Sequence, residues 1–261
     1  MKVHFLDLGC ITCDTNSLVA LKIQASVDDP NPDLHVEPMP VWVAYIETDQ
    51  AKILFDAGIL DEYDEVVTES KKKYFPYTHT DEQTIVHQLS LCGVKPEEID
   101  YVVISHMHWD HAGNINKFPN AKVVVQRTEL MSALMSTHTV DPRGTYLRKD
   151  CDVDADWMLI DGDYELFEGI KLLLLPGHCE GLQGIQLTTD HGTILMTSDA
   201  CYTAGNWGPP IRPTGAVYDS RSYVNSMQKL KNIAQTTNAM VIYGHDIEQF
   251  RSLKRAPKYY E

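Results

Sequence analysis

One run of seven residues, Ser105-His106-Met107-His108-Trp109-Asp110-His111, restricts the possible folds of this chain more than any other feature. It follows directly on the apolar stretch Tyr101-Val102-Val103-Ile104, which reads as a buried strand. Four side chains that bind metals therefore stand in a loop at a strand's end, where backbone curvature can turn them inward. Alternating residues such as His106 and His108 can face one metal, while Asp110 and His111 face a second. From the chain's own His and Asp frequencies, an H-x-H-x-D-H run should arise by chance on the order of once or twice in a thousand such chains. Gly113 follows close behind and permits a tight turn.

A metal centre needs more ligands than this loop supplies, and other strand ends offer them. His178 closes the run Leu172–Leu175 through Pro176-Gly177, Asp199 follows Ile194-Leu195-Met196, and His245 follows Met240-Val241-Ile242-Tyr243-Gly244. Any one of these is the kind of polar residue that commonly closes a strand. Seven such residues at repeated strand-to-loop junctions are a pattern instead. Carboxylate and imidazole donors suit Zn²⁺ best, ahead of Mn²⁺, Fe²⁺ or Co²⁺.

Short apolar runs bounded by Gly, Pro, Asp or Asn predict strands over Val3–Leu8, Val41–Glu47, Lys52–Asp56, Tyr101–Ser105, Lys122–Gln126, Ile170–Leu175, Gly184–Thr188, Thr193–Thr197 and Met240–Tyr243. Thr80-Asp81-Glu82-Gln83 reads as a capping box opening a helix that ends near Gly93. Thr128–Met135 is a second helix, and Ser220–Thr236 a third, with Tyr223, Met227, Leu230 and Ala234 on one face. Strands interrupted by helices without strict alternation suggest two sheets covered by outer helices. No stretch resembles a linker or a repeat, so residues 1–261 are read as one domain. Val27–Pro40 and Thr137–Asp156 read as long loops, the kind used as lids, binding loops or oligomer contacts when not plain surface insertions.

A formal net charge of -15 repels phosphate backbones and anionic membranes, which argues against nucleic-acid and membrane partners. No apolar run approaches the roughly 20 residues of a membrane span. Met1-Lys2-Val3-His4-Phe5-Leu6-Asp7 has an acid inside its apolar stretch and lacks the pattern of a signal peptide, so a cytoplasmic location is expected. The six cysteines are scattered as thiols of a reducing compartment would be. Cys10 and Cys13 form a C-x-x-C, but no second pair and no βαβ context accompany it.

The order of these motifs resembles the metallo-β-lactamase superfamily, whose αββα sandwich, an α/β fold of two mixed sheets flanked by helices, carries a dimetal centre at one sheet edge. Phe55-Asp56-Ala57-Gly58 is similar to the superfamily's early D-x-G turn, whose Asp stands near the metals without binding them. The resemblance implies that His106, His108 and His178 hold one divalent ion, most simply Zn²⁺. It further implies that Asp110, His111 and His245 hold another and that Asp199 bridges the two.

Further segments resemble the N-acyl-homoserine lactonases of quorum quenching. These are Met39-Pro40-Val41-Trp42-Val43-Ala44-Tyr45-Ile46-Glu47-Thr48, Gln126-Arg127-Thr128-Glu129, Ser198-Asp199-Ala200-Cys201-Tyr202-Thr203 and Tyr243-Gly244-His245-Asp246-Ile247-Glu248-Gln249, so the likeness covers nearly the whole chain in order. It implies that a metal-bridging hydroxide attacks a lactone carbonyl, that Tyr202 stabilises the developing oxyanion, and that Asp110 passes a proton to the leaving alkoxide. Trp109 and Met107 are positioned to border an acyl-chain groove, with core packing the stronger reading for Met107. A small lactone is the expected partner, and a homodimer is compatible with the long loops.

Three departures bear on substrate preference and leave the ligand set intact. Leu182 replaces a second His common after the ligand His178, Trp109 stands where Phe is common, and Thr137–Asp156 diverges. Other readings compete. A glyoxalase-type thioesterase uses the same seven ligands but adds a helical domain after the last of them, and here residues 246–261 follow His245. A β-lactamase usually places Cys where Asp199 stands, and a flavodiiron-type oxidoreductase wants Glu where His108 stands. A metal-bearing ligand receptor without catalysis is a further class, which metal-dependent turnover would exclude.

Overall fold

The structure, a computed structural model, describes residues 1–139 and 144–261. Strands β1 (Lys2–Asp14), β2 (Val36–Glu47), β3 (Lys52–Phe55), β4 (Tyr77–Thr78), β5 (Tyr101–Val103), β6 (Lys122–Gln126) and β7 (Asp156–Ile160) build a seven-stranded sheet in the order β4-β1-β2-β3-β5-β6-β7. Strands β8 (Tyr164–Phe167), β9 (Ile170–Leu174), β10 (Gln183–Thr189), β11 (Gly192–Met196) and β12 (Met240–Ile242) build a second, ordered β12-β11-β10-β9-β8. Both sheets are mixed: β3, β5, β6 and β7 run parallel, as do β11 and β12, and the remaining pairs are antiparallel.

The near-continuous apolar runs follow from burial on both faces of each sheet. Ile53, Phe55, Val103 and Val124 pack between the sheets against Ile170, Leu172, Ile185 and Met196. Their neighbours Leu54, Val102, Val123 and Val125 point the other way, to a cluster that includes Ile85, Leu89 and Ala133 of the outer helices Ile85–Leu91 and Arg127–His138. On the far side Leu173, Leu175 and Leu195 meet Tyr223, Met227 and Leu230 of the helix Ser220–Thr237. Helix, sheet, sheet and helix make the expected αββα sandwich. Among the described residues no helix is long and apolar enough to cross a membrane.

Several boundaries differ from the sequence expectation for identifiable reasons. β1 runs past Leu8 to Asp14 because its register with β2 shifts between Asp7 and Cys10, around Gly9 at φ +93°. The C-x-x-C therefore lies within a strand, and both thiols are free. The stretch Val27–Pro40 is a loop only as far as residue 35. Pro38 and Pro40 sit in β2 opposite Thr12 and Cys10, and β3 pairs only with Ala44–Glu47, so no second neighbour asks these prolines for an N–H. Gln83 does cap back onto Thr80 N at 3.0 Å, but the box opens a single 3-10 turn, and Thr84 then caps the helix proper. The stretch Thr137–Asp156 holds the end of the Arg127–His138 helix and a short helix Arg148–Cys151, with residues 140–143 outside the described residues.

Asp150, in that short helix, is 1% exposed, and neither carboxylate oxygen has a hydrogen-bond partner among the described residues. Burial pushes its carboxyl up to about 7, against the pull of Lys71 and Lys149. A group raised in the folded state contributes stability below its unfolded value, near 4, and loses it as the pH rises through its folded value. Asp150→Asn should therefore stabilise the fold by about 1–3 kcal/mol near pH 8 and have little effect near pH 4. Melting curves of both proteins across that range check this, and a pH-independent difference would contradict it.

Candidate metal centre

Five strands deliver the site, and their carboxyl ends share one edge of the sandwich. β3 and β5 are parallel neighbours in one sheet, while β9, β11 and β12 run in a common direction in the other. Gln183, opening β10, joins the two edges: its N–H donates to Ser105 O at 2.8 Å and its amide to Ile104 O at 2.8 Å. Beyond β5 comes the loop 105–111, beyond β9 His178, beyond β11 Asp199 and beyond β12 His245.

All seven expected residues converge, every one of them buried. They form two groups able to hold a metal ion, one of His106, His108, His178 and Asp199, the other of Asp110, His111 and His245. Asp199 spans them with one oxygen each. Its Oδ2 lies 3.4 Å from His106 Nε2 and 3.2 Å from His178 Nε2, while Oδ1 lies 3.3 Å from His111 Nε2 and 2.9 Å from His245 Nε2. Asp110 Oδ2 stands 3.6 Å from His111 Nε2 and 3.8 Å from His245 Nε2.

The far sides of the rings are tied down, which leaves Nε2 to face the centre. His178 Nδ1 donates to Ala216 O at 2.6 Å, His245 Nδ1 to Pro40 O at 2.9 Å and His111 Nδ1 to Asp56 Oδ2 at 2.9 Å. His106 Nδ1 meets Ser105 Oγ at 3.0 Å. His108 is the exception, presenting Nδ1, at 2.9 Å from His178 Nε2. Asp56 also accepts from Ser105 N at 2.7 Å, so it supports the centre from behind, as the D-x-G likeness implied. Asp56 and Ser198 both hold positive φ, 70° and 45°, an uncommon conformation for residues with a Cβ and one that collects at functional sites.

A divalent cation fits these residues on the structure's own terms. Buried polar atoms are nearly always hydrogen-bonded, yet His106 Nε2, His111 Nε2, His245 Nε2 and Asp199 Oδ1 have no hydrogen-bond partner among the described residues. The short distances to Asp199 are thus close approaches without hydrogen-bond alignment. The electrostatics agree. Burial lowers His178 to about 4 and drives His108 well down, which keeps both imidazoles neutral. Burial works the same way on His111, but Asp199, Asp110 and Asp56 outweigh it and raise that ring. The carboxylates call for positive charge at the point where the donor atoms meet.

Close packing holds the loops to this geometry. A Cβ on Gly244 would stand 2.7 Å from Ser198 O and 3.1 Å from Asp199 Oδ1, so only glycine precedes His245 comfortably. Gly113 is needed for another reason than the expected turn: a Cβ there would stand 2.1 Å from Leu60 N. Trp42 Nε1 donates to Gly244 O at 2.7 Å, anchoring the His245 loop to β2.

Glu129 is a supporting residue whose role sequence reasoning did not assign. It is fully buried, and its carboxylate accepts from Met107 N at 3.0 Å, Tyr146 O–H at 3.2 Å and Gly181 N at 3.1 Å, stitching the loops of His106, His108 and His178 together. The segment 126–129 is among those resembling the lactonases, but the position of Glu129 reads only as an acid in the first turn of a helix, which ordinarily means a surface charge. Glu129→Ala leaves two buried N–H groups unpaired and should cost about 2–4 kcal/mol of stability with weakened metal retention. Denaturant unfolding with metal analysis measures both, and an unchanged variant would remove Glu129 from this role.

A cavity of about 640 Å³ opens onto the centre, lined by His108, Asp110, His178 and Tyr202 together with Met39, Val66, Phe75 and Leu147. Trp109 lines it too, stacked on Tyr63 with ring centroids 5.1 Å apart. Met107 does not. It is fully buried in the core beneath the loop, as its stronger reading expected, and the alternative place at the groove is corrected accordingly. Alternation along an extended loop explains the difference: the side chains flanking Met107 face the centre, so its own faces away. Tyr202 packs its ring 4.9 Å from that of His245 and 5.6 Å from that of His178.

Known proteins share this design. Residues 36–245 match the metallo-beta-lactamase superfamily. An N-acyl homoserine lactonase of a Bacillus species is 33% identical over 268 residues, 99% of this chain and 98% of that protein. One of Agrobacterium fabrum is 30% identical over 275 residues, 100% of this chain and 99% of its own. A solved N-acyl homoserine lactone hydrolase, with its product N-hexanoyl-L-homoserine at the catalytic metal centre, superposes with a TM-score of 0.85 at 29% identity, covering 99% of this chain and 98% of that one. Since the match runs through every strand end from Asp56 to His245, this chain belongs to the metallo-beta-lactamase superfamily, in the company of the N-acyl homoserine lactonases.

Proposed function

We propose that this metal-dependent hydrolase opens the lactone ring of N-acyl-homoserine lactones, using two divalent metal ions, most simply Zn²⁺, in a single catalytic domain. The observation that carries the reading is Asp199, with one oxygen on each of two buried donor groups and Tyr202 beside them at the floor of an apolar cavity. His106, His108 and His178 would hold one ion and Asp110, His111 and His245 the other, with Asp199 shared. Bound there, the pair supplies acidified water at neutral pH and positive charge for the carbonyl oxygen.

The chain's own residues do the rest. The Tyr202 hydroxyl donates to the carbonyl oxygen as negative charge develops on it. Water adds to the carbonyl carbon and gives up one proton to Asp110, the ring C–O bond breaks, and Asp110 passes that proton to the departing alkoxide while the second water proton is released to solvent. The products are one carboxylate and one hydroxyl on a single molecule, the free N-acyl-homoserine. The cavity's apolar side chains exclude water and seat the acyl chain. A neutral ester with an apolar tail also suits a chain of net charge -15 better than an anionic thioester does.

The test is a substrate panel on metal-loaded protein, containing N-hexanoyl-homoserine lactone, a simple lactone, a glutathione thioester and a β-lactam. Ring opening of the acyl-homoserine lactone, read by acid release and by mass, should exceed the thioester and β-lactam rates by on the order of a hundredfold or more. Cleavage of the simple lactone alone would move the substrate class, and preference for the thioester would overturn the reading.

A further inference from the structure

Away from the donor groups, the cavity wall is apolar or hydroxylic with one cation. Lys71 is the one Lys or Arg among the described residues that line it. It belongs to the short helix Glu69–Tyr74, is half-buried, and holds its ammonium 4.5 Å from the centroid of the Trp109 ring while donating to Gly144 O at 2.9 Å. The neighbouring lysines of that helix serve the surface, Lys72 pairing with Glu69 at 2.9 Å and Lys73 lying 5.8 Å from the Tyr74 ring. Lys71 makes no such ion pair with a carboxylate among the described residues. An ammonium carries three donors, and among the described residues one carbonyl and one ring face leave it short of acceptors in a partly desolvated wall.

We propose that Lys71 is a specificity-determining residue that hydrogen-bonds an oxygen on the acyl chain of the substrate, so that the enzyme favours keto- or hydroxy-acyl lactones over plain ones. The proposal rests on the lactonase reading above. Trp109 and Lys71 then form one surface, the ring covering the methylenes and the ammonium reading the oxygen. Burial pushes Lys71 down to about 8, against Asp110 and Asp150, so at neutral pH it is mostly charged and a donor. A charge-assisted bond of this kind is worth roughly tenfold or more in discrimination.

A different role is open to the same contacts: Lys71 as a strut joining its helix to the segment at Gly144. A strut acts on every substrate alike, whereas an oxygen-reading group acts on one. The experiment compares kcat/KM for N-hexanoyl- and N-(3-oxohexanoyl)-homoserine lactone in wild type, Lys71→Met and Lys71→Arg, with metal content and melting midpoint measured on each. The expected result is a wild-type preference for the 3-oxo substrate of about tenfold, carried mainly by KM. That preference should fall to near one in Lys71→Met and survive in part in Lys71→Arg. Equal losses on both substrates, or an unchanged ratio, would overturn the subsite while leaving lactone opening in place. A wild-type protein that opens neither substrate would overturn both.

Discussion

Asp199→Asn is expected to lose metal from both groups together and to lower lactone opening by on the order of a thousandfold or more. The reason is the split of one carboxylate between two sets of imidazoles, with Oδ2 beside His106 and His178 and Oδ1 beside His111 and His245. An amide keeps the shape but gives up a negative charge and one of the two oxygens. The four imidazoles around Asp199 hold its carboxyl well below the ordinary range despite complete burial, so that charge is the hub of the centre. His108→Ala should act in the same direction by removing a donor from one group. Metal analysis and turnover measured on the same sample decide the matter, and an Asp199→Asn protein with wild-type metal and rate would remove Asp199 from the centre.

Tyr202→Phe separates chemistry from metal binding. The ring packs on His245 and His178, and phenylalanine preserves that packing, so metal content should not change. What goes is one hydroxyl donor in a buried site, worth about 1–3 kcal/mol in the transition state, or roughly ten- to a hundredfold in kcat. Unchanged kcat would return Tyr202 to a packing role, and lost metal would make it a support for His245 and His178.

The centre was legible in the sequence because its chemistry dictates both residue type and position. Metal donors come from a few residue types, and a rigid site has to hang from strand ends, so His106, His178, Asp199 and His245 each follow an apolar run. The sandwich was legible for a related reason: strands buried on both faces cannot alternate, and runs such as Val123-Val124-Val125 advertise that. Apart from Asp56, the supports were not legible. Glu129, Ser105 and Ser198 act through partners far away in the chain: Glu129 accepts from Gly181 N at 3.1 Å, and Ser198 Oγ donates to Ser105 Oγ at 2.8 Å. No local pattern marks a residue whose role is set by tertiary neighbours. β4, β7 and β8 escaped for a milder reason, being two residues long in one case and broken by acidic or half-buried positions in the others. Met107 and Trp109 carry the same lesson, since two apolar positions of one loop, with His108 between them, went to the core and to the cavity.

Seven side chains from two sheets converge as two donor groups, and the lactonase activity proposed above depends on a metal ion in each. Titrating metal-free protein with Zn²⁺ while following the opening of N-hexanoyl-homoserine lactone tests it most directly. Activity should be absent at the start and reach its plateau at about two equivalents per chain, as the two donor groups predict. Full activity in metal-free protein, or a plateau at one equivalent, would contradict the account.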